Sequence, residues 1–213
     1  MLIDKSKHAA EVFDKNALLY QDKFMNVELY HHAFDMFCDN IVKPNAEVLD
    51  IACGPGNITK YLLYKRPDFK ILGIDLSQNM IDLAKKNNPQ ANFRVMDCRA
   101  INSLPEKYDA IMCGFCFPYL SKPEAIKLID DAGVLLQNGG VFFISTMEDD
   151  YEKSQYVKGS TGDEIFMHYH QADYLCDALT KNNFEIIDMQ HQPYPTNDAT
   201  KVIDLLLLAR KIK

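Results

Sequence analysis

Between residues 46 and 146 the sequence alternates short apolar runs with segments of helical pattern. The runs are Glu47-Val-Leu-Asp-Ile-Ala52, Lys70-Ile-Leu-Gly-Ile74, Asn92-Phe-Arg-Val-Met96, Tyr108-Asp-Ala-Ile-Met-Cys113 and Val141 to Thr146. Runs this short, bounded by turn residues, read as strands buried on both faces. The intervening segments predict helices over Ile58 to Arg66, from a Ser77 cap through Lys86, and from Ser121 to about Leu136. Ser121 and Glu124 have capping-box spacing with Pro123 in the first turn, and Asn138-Gly139-Gly140 supplies a stop. Strands that alternate with helices form βαβ units, so the sheet must be parallel with helices on both faces.

The two ends of the chain follow other patterns. Residues 6 to 42 read as helical, with Val27, Tyr30, Phe34, Phe37, Cys38 and Ile41 at spacings of three and four and Asn26 as N-cap. Beyond residue 170, a helix from Gln171 to Asn182 precedes two strands, Phe184 to Gln190 and Lys201 to Ala209. Their connection, Gln192 to Asp198, is too short for a crossover helix, so the pair is expected to be antiparallel. The predicted fold class is α/β: a doubly wound sheet of seven strands, mostly parallel, with an antiparallel C-terminal strand and added N-terminal helices. A chain of 213 residues holds one such domain. It divides into an N-terminal helical cap (1–45), a core (46–146), a substrate cap (147–170) and a C-terminal helix with the strand pair (171–213).

Ligand chemistry concentrates at the strand ends. Cys53-Gly54-Pro55-Gly56 follows the first strand directly, and glycines there let the backbone approach a ligand beside a helix N-terminus. Asp75 ends the second strand, about 20 residues after the glycines, where a ribose-binding acid is expected in a nucleotide fold. Asp97 ends the third strand on the same carboxyl edge, where open α/β sheets bind ligands.

These segments together resemble the class I S-adenosylmethionine-dependent methyltransferases, whose sheet is Rossmann-like. Val48-Leu-Asp-Ile-Ala-Cys-Gly-Pro-Gly-Asn57 is similar to the family's first motif, Gly73-Ile-Asp-Leu-Ser77 to the second and Val95-Met-Asp-Cys98 to the third. Leu135 to Ile144 resembles the stretch before and within the fifth strand. Phe13-Asp-Lys-Asn-Ala-Leu-Leu-Tyr20 is similar to a segment before the core in small-molecule members, of the kind found in ubiquinone and menaquinone biosynthesis. The resemblance implies S-adenosyl-L-methionine as cofactor. By it, Ala52, Cys53 and Gly54 pass beneath the methionine part, and Asp50 shapes that loop. Asp75 accepts from both ribose hydroxyls, and Leu76 and Met80 pack on the adenine. Asp97 accepts from the exocyclic amine, and the Cys98 N–H serves a ring nitrogen. Cys113 lies near the sulfonium, and Tyr20 reaches the methionine end. Members often have glycine where this chain has Ala52.

The remaining signals narrow the acceptor. Lys and Arg number 23 against 30 Asp and Glu, a net charge of −7, which disfavours nucleic acid as the partner. The fourth strand also lacks the Asn/Asp-Pro-Pro-Tyr signature of enzymes that methylate base amines. Cys113-Gly-Phe-Cys116 has redox spacing but follows a strand instead of opening a helix. Glu148-Asp-Asp150 lacks an acidic partner after the fourth strand, so no metal is expected. His168 and His170 are the candidates if a general base is used. Tyr119, Tyr151 and Tyr169 are candidates to line the substrate pocket. The expected function is methyl transfer to a small molecule by in-line displacement. The alternatives are an NAD(P)-dependent oxidoreductase, whose third fingerprint glycine falls at Thr59, and a catalytically inactive S-adenosylmethionine-binding regulator. The scattered cysteines and the absence of an apolar leader or spanning run suggest a cytoplasmic protein, monomer or homodimer, without membrane attachment.

Overall fold

Three helices precede the first strand in the computed structural model, which describes residues 3–159, 161–195 and 202–213. They are α1 (Lys5–Lys15), α2 (Ala17–Phe24) and α3 (His31–Asp39). Asp4 caps α1 by accepting from the Lys7 N–H at 3.0 Å. The region expected as helical from 6 to 42 thus holds three helices, with a break at Asn16 that was not expected and one near the expected Asn26 start. At Asn16 the backbone leaves helical values. Before α3, Asn26 accepts from the Glu28 N–H at 2.8 Å, which closes a local turn and makes Asn26 no helix cap. A 3-10 turn over Glu28–Tyr30 follows, and α3 begins only at His31.

The core then alternates as expected: β1 (Glu47–Ile51), α4 (Asn57–Lys65), β2 (Lys70–Asp75), α5 (Gln78–Asn87), β3 (Asn92–Val95), β4 (Tyr108–Cys113), α6 (Lys122–Leu135) and β5 (Leu136–Met147). Ser77 caps α5 through the Met80 N–H. The Glu124 carboxylate accepts from the Ser121 N–H at 2.8 Å and its hydroxyl at 2.6 Å. β5 starts earlier than its apolar run, because Leu136 already pairs with Tyr108 while Val141 pairs with Ala110. The residues between, Asn138-Gly139-Gly140 included, loop out within the strand.

After β5 come a short hairpin of β6 (Gln155–Lys158) and β7 (Glu164–Met167), then α7 (Ala172–Lys181), β8 (Phe184–Tyr194) and β9 (Val202–Lys211). The hairpin lies in the segment expected as a cap. The main sheet has the order β3-β2-β1-β4-β5-β9-β8. β9 runs antiparallel to both neighbours, and towards β8 the short connection requires it. Of that connection, residues 196–198 lie outside the described residues, as does Lys201.

Alternate residues of the central strands feed two cores. Leu49, Ile111, Phe142 and Ile144 pack under α6 and α7, with Leu128, Ile129, Leu175 and Leu179. Val48, Met112, Val141 and Phe143 pack under α3 and α4, with Phe34, Phe37, Ile58 and Leu62. Both faces of these strands are therefore buried, which is why they read as unbroken apolar runs. α1, α2 and the hairpin are left at the carboxyl edge of the sheet.

Candidate functional site

β1 ends at Ile51 and the chain turns sharply through left-handed backbone: φ is 55° at Ala52, 53° at Gly54 and 79° at Gly56. The turn is tied to its neighbours. The Cys53 N–H donates to Ile74 O and the Gly54 N–H to Asp75 Oδ2, both at 2.9 Å. From α5, the Asn87 amide donates to Pro55 O at 2.8 Å and the Asn88 amide to Gly56 O at 2.9 Å. Ala52 carries a methyl in a conformation that costs an L-residue about 1–2 kcal/mol, so the turn holds some strain there.

Above this turn lies a cavity enclosing about 740 Å3 of space between atoms, solvent at its mouth included. Its floor and walls come from Ala52, Gly54, Asp75, Leu76, Met80, Asp97 and Cys98. Asp75 also accepts from the Ser77 N–H at 2.9 Å. Burial raises the Asp75 pKa, against the backbone N–H groups that favour its anion. Burial also pushes Asp97 up, but the hydrogen bonds and charge of Arg99 win and hold it below the usual carboxylate range. Asp97 therefore stays a pure acceptor.

The roof is α1, through Ser6, Ala9, Ala10 and Phe13, and Tyr20 of α2. Tyr20 stands 3.7 Å from where a Cβ on Gly54 would be, so it covers the glycine turn. Phe13 packs edge-on against both Tyr20 and Tyr119, with ring centroids 5.6 and 5.0 Å apart. Burial pushes the Tyr20 phenol up to about 12, and raises Tyr119 further. Both remain protonated donors near neutrality. Ser6, Ala9, Ala10 and Phe115 are cavity walls that sequence reasoning did not single out, and Phe13 entered it only as the start of the segment ending at Tyr20. The one available signal was the small Ala9-Ala10 pair followed by Phe13.

Several expected residues stand elsewhere. Asp50 lies beneath the turn, 1% exposed, accepting from the Thr59 hydroxyl at 2.6 Å. Burial pushes it up to about 7. The Cys53 side chain points away from the cavity, into Ile81, Ala84 and Phe93, so only its backbone belongs to the turn. Cys113 is wholly buried in the core, and Gly114, Phe115 and Cys116 after it form the wall instead. The Cys116 and Cys98 sulfurs are 3.6 Å apart in that wall. Among the described residues no group of three or more His, Cys, Asp or Glu could hold a metal ion.

His168 and His170 share one face of their segment and are buried, 5% and 0% exposed, but that face meets the Phe117–Tyr119 turn from behind. His170 Nε2–H donates to Phe117 O at 2.8 Å, and Nδ1 accepts from the Tyr174 hydroxyl. Tyr151 stacks on His168 and its hydroxyl accepts from the Lys122 N–H. Tyr169 donates its N–H to Ser154. None of these four lines the cavity. They fix the cavity wall from outside. Burial lowers the His170 pKa from 6.5 to about 4. The unfolded chain then takes up a proton that the folded chain refuses as pH falls from 6.5 toward 4. Stability is present above that window and is lost within it, by roughly 3 kcal/mol from this one group. Urea midpoints at pH 7.5 and pH 5 check this: His170→Gln should show a smaller acid loss than the parent, and an equal loss refutes the assignment.

Residues 48–140 match the family model described as a methyltransferase domain. The chain is similar to trans-aconitate 2-methyltransferase of Variovorax paradoxus, 32% identical over 108 residues, covering 51% of this chain and 40% of that protein. It is also similar to demethylmenaquinone methyltransferase of Thermotoga maritima, 30% identical over 114 residues, covering 52% of this chain and 50% of that protein. The chain thus matches half or less of the length of these curated relatives. Magnesium protoporphyrin IX methyltransferase from Synechocystis, a structure with bound S-adenosylmethionine, superposes with a TM-score of 0.72 at 16% identity, over 99% of this chain and 98% of that one. At that identity the likeness establishes the fold: a seven-stranded sheet, mostly parallel, with the C-terminal strand β9 antiparallel.

Proposed function

We propose that this chain, with its methyltransferase-family core, is an S-adenosylmethionine-dependent methyltransferase acting on a small-molecule acceptor. The observation that carries the reading is the pair of carboxylates, Asp75 at the end of β2 and Asp97 two residues past the adjacent β3, both facing one cavity above a glycine turn. The donor set fits the cofactor. Asp75 can accept from both ribose hydroxyls, and Asp97 from an exocyclic amine. Leu76 and Met80 offer apolar surface to the adenine. The backbone of Ala52, Cys53 and Gly54 leaves room for the methionine part, and Tyr20 closes over it.

Bound there, the cofactor supplies an activated methyl carbon, and the protein supplies position. Phe13, Tyr20, Phe115 and Tyr119 make the free end of the cavity aromatic. They exclude water and hold a flat or apolar acceptor near the methyl, where fixed geometry contributes several kcal/mol. We assign the cap to α1, α2 and the β6–β7 hairpin. His168 and His170 stand behind the wall, so we assign no side-chain base; an acceptor that arrives ionised or as a neutral amine requires none. The acidic net charge supports a small acceptor over nucleic acid. Among the described residues no helix is long and apolar enough to cross a membrane, and we propose a cytoplasmic location.

Thr59 is wholly buried and donates to Asp50 where a dinucleotide fingerprint has its third glycine. Calorimetric titration tests the reading against the oxidoreductase alternative. S-adenosylhomocysteine should bind at micromolar concentration, and NAD+ should give no heat. The reverse result overturns it.

A further inference from the structure

Arg99 is the most connected polar side chain at the carboxyl edge, and no role in cofactor binding is assigned to it above. Its five guanidinium N–H groups all meet carboxylates. Nε donates to Asp97, 3.1 Å from each oxygen, and Nη2 to Asp97 Oδ2 at 2.7 Å. Nη2 and Nη1 also grip Asp4 at 2.9 and 3.0 Å, and Nη1 reaches Glu124 Oε1 at 3.0 Å. The three acids belong to three places: Asp97 to the cap of the 3-10 turn Cys98–Ser103 after β3, Asp4 to the N-cap of α1 and Glu124 to the first turn of α6.

α1 crosses the cavity mouth, and its far end is tied just as firmly. Asp14 accepts from the Ser77 hydroxyl at 2.7 Å and the Asn79 N–H at 2.9 Å. The helix is therefore a strap. One end is held at Arg99, two residues after Asp97, and the other at Ser77, two residues after Asp75.

We propose that Arg99 is a positioning residue for the adenine end of the cofactor and, through the same guanidinium, the latch that closes α1 over it. This rests on the S-adenosylmethionine reading of the cavity. The planar fork fixes the Asp97 carboxylate in one orientation and keeps it an acceptor, so that an amine donor in the cavity meets a preset oxygen. Asp4 and Glu124 fix the fork in turn. Because one group serves both contacts, amine recognition and strap closure favour each other, and the coupling must be reciprocal.

The test uses two ligands, S-adenosylhomocysteine and S-inosylhomocysteine, in which a carbonyl oxygen replaces the exocyclic amine. Each is titrated into the parent protein, Arg99→Ala, Arg99→Lys and Asp4→Asn. Arg99→Ala should weaken both ligands, since the latch opens for either, and should weaken S-adenosylhomocysteine about tenfold more than the inosine analogue, because that excess requires the amine. Arg99→Lys should fall between parent and alanine, since an ammonium keeps the charge without the fork. Asp4→Asn keeps a good N-cap and should weaken both ligands, lowering the preference for the amine ligand by less than Arg99→Ala does. It should speed S-adenosylhomocysteine release in a stopped-flow displacement by about tenfold. Equal losses for both ligands in Arg99→Ala overturn the positioning role, and an unchanged release rate in Asp4→Asn overturns the latch. The lysine and Asp4 variants decide the matter if Arg99→Ala does not fold. Absence of S-adenosylhomocysteine binding by the parent protein overturns the cofactor reading itself, and this assignment with it.

Discussion

Asp75→Ala should weaken S-adenosylhomocysteine binding about 100-fold or more, the larger of the two effects expected on ligand affinity. Two contributions combine. In the proposed complex the carboxylate accepts from two ribose hydroxyls, and each charge-assisted bond is worth about 1.5–3 kcal/mol. In the free protein it also accepts from the Gly54 and Ser77 N–H groups. Removing it frees the glycine turn as well as the ribose site. Asp75→Asn separates the two, because an amide oxygen still accepts one bond while the NH2 accepts none. It should lose less than alanine and keep the thermal midpoint closer to the parent. Calorimetry with all three proteins, beside melting curves, reads the result. Binding by Asp75→Ala within threefold of the parent would sink the cofactor assignment.

Gly56→Ala should be the most destabilising single substitution in the glycine turn, by about 3 kcal/mol or more. The left-handed backbone alone costs an L-residue about 1–2 kcal/mol. A Cβ there also falls 2.3 Å from Asn88 Nδ2 and 3.3 Å from the Ala84 Cα and Cβ. Asn88 has little room to move, since its amide holds Gly56 O and its side chain is buried. The turn must therefore separate from α5. For a chain of this size the midpoint should fall by about 6–12 °C. Gly139→Ala is the control: it shares a positive φ, but nothing lies within 4 Å of its Cβ position, so it should show the backbone cost alone. Equal losses at both positions would refute the close-packing account of Gly56.

The sheet was legible because its signals are local. Apolar runs, a glycine turn after the first, an acid at the end of the second and another two residues past the third each span a few residues. β3 corrects one expectation, because as the edge strand it is largely exposed instead of buried on both faces. The loop-out within β5 was not legible. Asn138-Gly139-Gly140 reads as a stop in sequence, and only the pairing of Leu136 with Tyr108 shows that the strand has already begun. Asn26 misled for a similar reason, since the same side chain that caps helices also closes tight turns.

Alternation correctly placed His168 and His170 on one face, but it carries no information on what that face meets. Only packing sets that face against the Phe117 carbonyl and the Tyr174 hydroxyl. Cys113 shows the same limit at a strand end. Being one residue short of the edge leaves a side chain in the core and gives the cavity wall to Gly114, Phe115 and Cys116.

By itself the amino-acid sequence determined the layered α/β fold, the seven strands of its main sheet and the edge that carries the ligand chemistry, because periodicity and turn chemistry act between near neighbours. The tertiary structure decided what closes that edge. Arg99 draws in acids 95 and 25 positions away, and α1 bridges the loops after two strands. Polar residues on a helix face have no period that names their partner. Their pairing follows from where the buried faces of α1 and α6 dock.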